Sequence, residues 1–240
     1  MPPLVRETES AYPAAYRTVR YWLSGSMSAT VARDETGQEA PSARQQAVLD
    51  AVLALLVEEG DQLTMDAVAR RASCSKETLY KWFGDRDGLL TATVRWQASR
   101  VHAGRDAAGA LDAATLRERL LDFAVTWLDV IAGRTSVVLN RIAIAHAGSR
   151  KGNLGAIVLA NGRLAIGGRV KPVLEAGRAA GLLAFEDGET AFRTFFGLVG
   201  RDIQIRLLLG DALDLDAAEI RRDAARAVDQ FLALYGQARP

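Results

Sequence analysis

The stretch Leu63–Leu90, LTMDAVARRASCSKETLYKWFGDRDGLL, constrains this chain more than any other. It reads as two short helices meeting at a tight turn, with a third beginning directly after. Thr64 carries a hydroxyl able to cap the first helix, and Asp66 falls in its first turn, where the helix macrodipole favours a negative charge. Val68 and Ala69 give this helix a small apolar face, and the pattern breaks at Ala72-Ser73-Cys74. Ser75 can cap the second helix, Lys76–Trp82, on which Leu79 and the following Phe83 share an inward face. Lys76, Thr78, Tyr80, Lys81 and Trp82 spread over the other sides. Two lysines, a hydroxyl and two aromatics with polar edges suit contact with phosphates and base edges. The pattern is a helix-turn-helix.

The segments VLDAVLALLVEEG, LTMDAVARRA, SCSKETLYKWF and DRDGLL follow one another between about Gln46 and Leu90. In that order they resemble the N-terminal signature of the TetR-type transcriptional regulators. That signature is a helix ending in a Gly loop, a T-x-x-x-[IV]-A helix, a small-residue turn, an L-Y-x-x-F recognition helix and a K-x-x-L-L helix start. Two positions depart from it. Ser73 stands where the family's turn usually has Gly, so this residue must avoid or tolerate a left-handed backbone. Arg86 stands where Lys is usual, which keeps the charge and adds a planar fork for phosphate.

The resemblance implies a DNA-binding transcriptional regulator: a homodimeric repressor on a palindromic double-stranded DNA operator, released by a small-molecule effector of unidentified structure. It also implies roles. Thr64, Tyr80, Trp82 and Arg86 would contact phosphates. Lys76, Glu77, Thr78 and Lys81 would face bases or their flanking phosphates, with Ser75 beside them at the head of the reading helix. The alternative is a helical ligand-binding or scaffold protein that no longer reads DNA.

Composition does not announce a nucleic-acid partner. Formal net charge over the 240 residues is +1, and Lys76, Lys81 and Arg86 are offset by Glu77, Asp85 and Asp87. Cys74 is the only cysteine, which excludes an internal disulfide and a cysteine-rich zinc site. Histidines stand only at 102 and 146, and no nucleophile-base-orienter set can be assembled around them. Gly152–Gly155 and Gly167-Gly168 lack the strand-turn-helix setting of a phosphate loop. No enzyme activity, cofactor or metal is expected. No apolar run approaches the roughly 18 residues that span a bilayer, and the N-terminus lacks the order of a signal peptide. The expectation is a cytoplasmic protein without a membrane partner.

The periodicity predicts an all-α chain in three parts: a partly helical extension with a flexible linker over 1–42, a helix-turn-helix domain over 43–90, and a helical ligand-binding and dimerisation domain over 91–240. In the extension Tyr12, Ala15, Tyr16, Val19, Trp22 and Leu23 share one apolar face, for packing on the body or a partner subunit, or for an arm on DNA. Ala43–Glu59 places Ala47, Val48, Ala51, Leu55 and Leu56 inward and closes on Gly60. A fourth helix from Asp87 to about His102 is the obvious mechanical link. Further helices are expected from Thr115, over Ser136–Ala147, over Asn153–Ala180 closed by Gly181, over Glu189–Leu209 and over Asp216–Tyr235. FFGLVGRDIQIRLLLG resembles the next-to-last helix of one TetR subgroup. The stripes Phe192/Phe195/Phe196/Val199/Ile203 and Ile220/Ala224/Ala227/Val228/Phe231/Leu234 would then form the homodimer through the last two helices, or else the core of the monomer. Candidate ligand residues are Trp96, Phe123, Trp127, Asn140, Arg141, His146, Phe192, Phe196 and Arg201. Arg141 is the most informative, because a guanidinium on an apolar helix needs an anion, solvent or a carboxylate such as Asp129 or Asp202.

Overall fold

Side-chain caps start most of the helices. In the computed structural model, which describes residues 40–103, 111–147, 153–213 and 215–237, helix α1 spans Ala43–Glu59 and opens with a capping box between Ser42 and Gln45. The apolar face expected around Tyr12–Leu23 and the linker up to residue 39 lie outside the described residues. Thr64, Ser75 and Asp85 accept from the backbone N–H three residues on, and so begin α2 (Met65–Arg71), α3 (Lys76–Phe83) and α4 (Arg86–Ala98). Asp112 does the same for α5 (Ala113–Ala132), which is followed by α6 (Arg134–Ala145). Next come α7 (Leu154–Val158), a π-helical segment Leu159–Leu164, and α8 (Ala165–Ala179). Helices α9 (Gly188–Gly200), α10 (Ile203–Leu208) and α11 (Ala217–Tyr235) complete the chain. The fold is all-α, with only an isolated antiparallel bridge between Leu183 and Gly236 among the described residues.

Several expected boundaries and faces shift. On α1 the buried residues are Val48, Leu49, Val52, Leu53, Leu55 and Leu56, whereas Ala47 is exposed and Ala51 half-buried. The larger side chains take the inward positions because burial free energy scales with apolar area. Helix α4 stops at Ala98 rather than near His102. The helix expected over Glu189–Leu209 breaks at Arg201, whose φ is +41°. A Cβ at Gly200 would stand 3.1 Å from the Trp127 ring, and Arg201 is ion-paired with Asp223 of α11. The chain turns where α9 meets Trp127 of α5 and Asp223 of α11.

Two hydrophobic clusters organise residues 41–240, which form one unit. The first joins α1–α4 with Leu139, Ile142 and Ala143 of α6 and Leu154 and Ile157 of α7. The helix-turn-helix thus shares its core with the middle of the chain. The second unites α5, α8, α9 and α11 with Ala98 and Val101 at the end of α4. Phe192, Phe195, Val199 and Ile203, and likewise Ile220, Ala224, Ala227, Val228 and Phe231, are buried in it. The two stripes expected to face a second subunit close the protomer's own core instead. Phe196 is half-buried, and Leu234 alone of the set is strongly exposed, at 65%.

Gly88 fixes how α3 meets α4. A Cβ there would collide with the Phe83 carbonyl oxygen, a backbone atom that cannot swing aside. Helix propensity alone makes Ala better than Gly by about 1 kcal/mol. The close approach outweighs it, so Gly88→Ala should lower stability in urea unfolding by a net amount on the order of 1–3 kcal/mol. A more stable variant would mean that the α3–α4 corner is looser than described.

Candidate nucleic-acid interface

Helix α3 is anchored by Leu79, fully buried, with Phe83 and Trp82 half-buried against the same cluster. The Trp82 and Phe83 rings meet edge to face, with centroids 6.2 Å apart. Trp82, expected at a phosphate, is therefore partly withdrawn into the head. The other expected DNA residues divide into occupied and open groups. The Thr64 hydroxyl accepts the Ala67 N–H at 3.1 Å. Ser75 accepts from the Thr78 N–H, and the Ser75 and Thr78 hydroxyls lie 3.1 Å apart. Lys76 Nζ stands 2.9 Å from Asp66 Oδ1. The hydrogen bond and charge of Asp66 raise the Lys76 pKa, so the cation is firmly protonated but turned toward α2. Glu77 is held below the usual carboxylate range, first by its own backbone N–H and then by the Ser75 hydroxyl. Arg86, half-buried, donates from Nε to the Leu63 carbonyl at 3.3 Å and so ties α4 to the residue preceding the Thr64 cap of α2. Tyr80, 52% exposed, and Lys81 remain on the outward face of α3.

The turn before α3 has a defined hydrogen-bond pattern. Cys74 N–H donates to the Ala69 carbonyl at 3.0 Å and Ser73 N–H to the Arg70 carbonyl at 3.3 Å. This is a Schellman motif, whose left-handed position is usually Gly. Here it is Ser73, at φ +49°. From α1, Arg44 Nη2 donates to the Ser73 carbonyl at 2.9 Å and to the Ala72 carbonyl at 3.4 Å. Arg71 and Glu58 form a bidentate pair, both contacts 2.9 Å, which ties α2 to α1 a second time. Sequence reading passed over Arg44. Its one signal was a cation in the first turn of a helix, where the macrodipole disfavours it.

The expected ligand residues do not assemble into one site. Trp96 Nε1 donates to Asp50 Oδ1 at 2.8 Å, which places it on the α1–α4 seam. Asn140 donates to the Ser136 carbonyl one turn earlier. Arg141 pairs with neither Asp129 nor Asp202: it donates to the carbonyls of Leu208 at 3.1 Å and Leu207 at 2.7 Å, and so caps α10. His146 is half-buried at the end of α6, and Arg201 is held by Asp223. Phe123, Trp127, Phe196 and Phe192 do come together. Phe123 and Trp127 centroids lie 6.2 Å apart, Trp127 and Phe196 3.7 Å, Phe196 and Phe192 5.5 Å. Arg163 of the π-helical segment lies 4.6 Å over the Phe196 ring. A surface groove of about 600 Å³ is lined by Arg222, Ala225, Arg226, Asp229, Gln230 and Ala233 of α11. A smaller cleft of about 170 Å³ is lined by Arg100, Val125, Thr126, Asp129, Ala217 and Ile220. None of the expected ligand residues lines either. Among the described residues no group of three or more His, Cys, Asp or Glu could hold a metal ion, and no helix is long and apolar enough to cross a membrane.

Helix α4 connects the aromatic group to the head. Arg95 Nε donates to Asn161 Oδ1 at 2.7 Å, and Asn161 Nδ2 donates to the Ile157 carbonyl at 3.1 Å. Arg169 of α8 donates to the carbonyls of Ala98 and Val101 at the end of α4. Gln97, 7% exposed on the same helix, leaves its Oε1 without a partner.

Residues 48–93 match the family model described as bacterial regulatory proteins, tetR family, and residues 118–237 that of the AefR-like transcriptional repressor C-terminal domain. A TetR transcriptional regulator from Agrobacterium tumefaciens is 46% identical in sequence, with a TM-score of 0.71 over 82% of this chain and 96% of that one. The flavonoid-responsive regulator FrrA is 27% identical, with a TM-score of 0.58 over 82% of this chain and 98% of that one. The transcriptional repressor KstR of Mycolicibacterium smegmatis is 36% identical over 93 residues, 38% of this chain and 45% of the repressor, so the match spans under half of that relative's length.

The Arg71–Glu58 pair makes a pH prediction. Arg71 holds the Glu58 carboxyl below its ordinary value, so the pair's contribution is complete above the unfolded carboxylate pKa and is lost as pH falls through the folded one. Arg71→Ala should therefore lower the melting temperature at neutral pH, and the difference from the unsubstituted protein should close in acid, as pH falls through the depressed value of the Glu58 carboxyl. A difference that persists in acid would show that the pair does not carry the effect.

Proposed function

The chain belongs to the TetR family of bacterial regulatory proteins, and on that premise we propose that it is a homodimeric repressor, released from a palindromic operator by a small molecule. The observation that carries this reading is α3 itself: a capped helix anchored by Leu79, with Tyr80 and Lys81 outward and the Ser75 and Thr78 hydroxyls at its leading end. Residues 43–90 then form the DNA-reading head and 91–240 the effector-binding and dimerising body. Lys81 and Thr78 read base edges, while Tyr80 and the open end of α3 meet phosphates. Lys76 shares its charge with Asp66 and contributes to register more than to affinity.

Dimerisation runs through the outer surfaces of the last helices, since their inner stripes are spent in the core. Exposed Ile205, Leu209 and Leu234 support this, together with the open groove along α11 lined by Ala225 and Ala233 as well as Arg222, Arg226 and Asp229, whose charges are paired within the protomer.

An effector entering beside Phe196 and Arg163 would bear on the π-helical segment, and through Asn161 and Arg95 on α4. The flavonoid-responsive neighbour supports reading the body as a small-molecule sensor. Coupling of about 1–3 kcal/mol per site is typical, and two sites together approach the roughly 5.5 kcal/mol of a nearly complete switch.

Selection of duplexes from a random pool should recover an inverted repeat with half-site centres about 34 Å apart or somewhat more. Lys81→Ala should cost roughly 1–3 kcal/mol at one base pair of each half-site, with random DNA little affected. Recovery of a single isolated half-site, bound by a monomer, would sink the proposal.

A further inference from the structure

We infer that Arg44 is a positioning residue for DNA recognition: its guanidinium holds the left-handed Ser73 turn closed and thereby sets the angle at which α3 is presented. The inference rests on the DNA-reading function proposed above.

Among the described residues, three helices end in the same hydrogen-bond pattern. At α8 the left-handed position is Gly181, at φ +69°, and Leu182 N–H reaches the Gly177 carbonyl at 2.9 Å. At α10 it is Gly210, at φ +97°, and Asp211 N–H reaches the Arg206 carbonyl at 3.0 Å. Glycine takes this conformation without steric cost. At α2 the position is Ser73, whose Cβ crowds its own backbone at φ +49°. This is the one of the three that must hold a recognition helix in place, because α3 begins only three residues later, at Lys76.

What offsets the strain is visible. The Schellman bonds use the carbonyls of Ala69 and Arg70, and leave those of Ala72 and Ser73 facing the start of α1. Arg44 donates to both, at 3.4 and 2.9 Å. A cation at the negative end of the α2 dipole is favoured, and its hydrogen bonds to carbonyls are charge-assisted. Peptide orientation at Ser73 sets the φ/ψ of the turn, so fixing its carbonyl fixes where Ser75 starts α3. Leu79 anchors the middle of α3 but does not determine the tilt of its leading end, where Ser75, Lys76 and Thr78 sit. Arg44 supplies that constraint from α1, the helix that backs the head.

The test is a double-mutant cycle of Arg44→Ala and Ser73→Gly, with two readouts. The first is affinity for a duplex recovered by the unsubstituted protein from a random pool, divided by affinity for a scrambled duplex of equal composition, across a range of salt. Arg44→Ala should lower this ratio about five- to tenfold with the salt slope unchanged, since no phosphate contact is removed. Ser73→Gly, which relieves the strain, should restore most of the ratio in the Arg44→Ala background. The second readout needs no DNA: amide exchange at Ser73 and Cys74, the hydrogen-bonded amides of the turn, should accelerate several-fold in Arg44→Ala, while Leu79 stays protected. Unchanged exchange at the turn overturns the clamp, whether or not DNA is bound. A salt slope reduced by about one unit without rescue by Ser73→Gly overturns it in favour of a phosphate contact. If the unsubstituted protein selects no sequence at all, the DNA-reading function fails, and the exchange measurement still decides the clamp.

Discussion

A guanidinium from one helix, laid across the carbonyl oxygens at the end of another, recurs through this protein and sets how its helices lie. Arg44 of α1 does this at the end of α2, Arg169 of α8 at the end of α4, and Arg141 of α6 at the end of α10. The last carbonyls of a helix have no partner within it, and the macrodipole makes them attractive to cations. Each contact is worth only about 0.3–1 kcal/mol at an exposed site, far less than the burial of one leucine. Direction matters more than magnitude here. Apolar packing is non-directional, whereas a guanidinium bonded to two carbonyls at once favours one orientation. The three contacts sit where orientation counts: at the reading head, at the lower end of the connecting helix, and at the far end of α10.

The second consequence concerns charge. The head carries few free cations, because Lys76 is paired with Asp66, Arg71 with Glu58, and Arg44 and Arg86 are turned onto backbone carbonyls. Affinity for DNA of arbitrary sequence depends on phosphate neutralisation, so such a head should bind random DNA weakly and owe more to geometry and to base contacts. Two copies acting together suit that arrangement. Helix α4 is bound at both ends, by Arg86 to the start of the helix-turn-helix and by Arg169 to the body, and in between Arg95 reaches the π-helical segment. Gln97 leaves a buried acceptor unsatisfied on the same helix. A seam of this kind, polar and incompletely paired, resists change less than a dry core.

The all-helical class, the helix-turn-helix and its two caps at Thr64 and Ser75 were legible in the sequence, because capping residues, periodicity and the L-Y-x-x-F spacing are local signals. Leu79 as anchor and Tyr80 as outward residue followed from the same periodicity. Other features were hidden for physical reasons. FFGLVGRDIQIRLLLG keeps helical period through Arg201, and the groups that stand at the break, Trp127 against Gly200 and Asp223 on Arg201, are remote in sequence. Trp96 looked like a pocket wall, but Asp50, an ordinary surface carboxylate, takes its indole N–H. For Arg141 an anion, solvent or a carboxylate such as Asp129 or Asp202 stood open as partner, and its partners are the carbonyls of Leu207 and Leu208. Backbone acceptors occur at every residue, so sequence holds no complement that would point to them. The stripes on α9 and α11 were correct as apolar faces, yet apolarity alone does not distinguish a protomer's core from an interface.

The central claim is that the outward face of α3 meets DNA. Amide hydrogen exchange of the whole protein, measured with and without a duplex selected from a random pool, tests it most directly. The account predicts slowed exchange from the Ser73 turn through α3, with α11 unchanged. Slowing confined to the body, with α3 exchanging as freely as before, would contradict it.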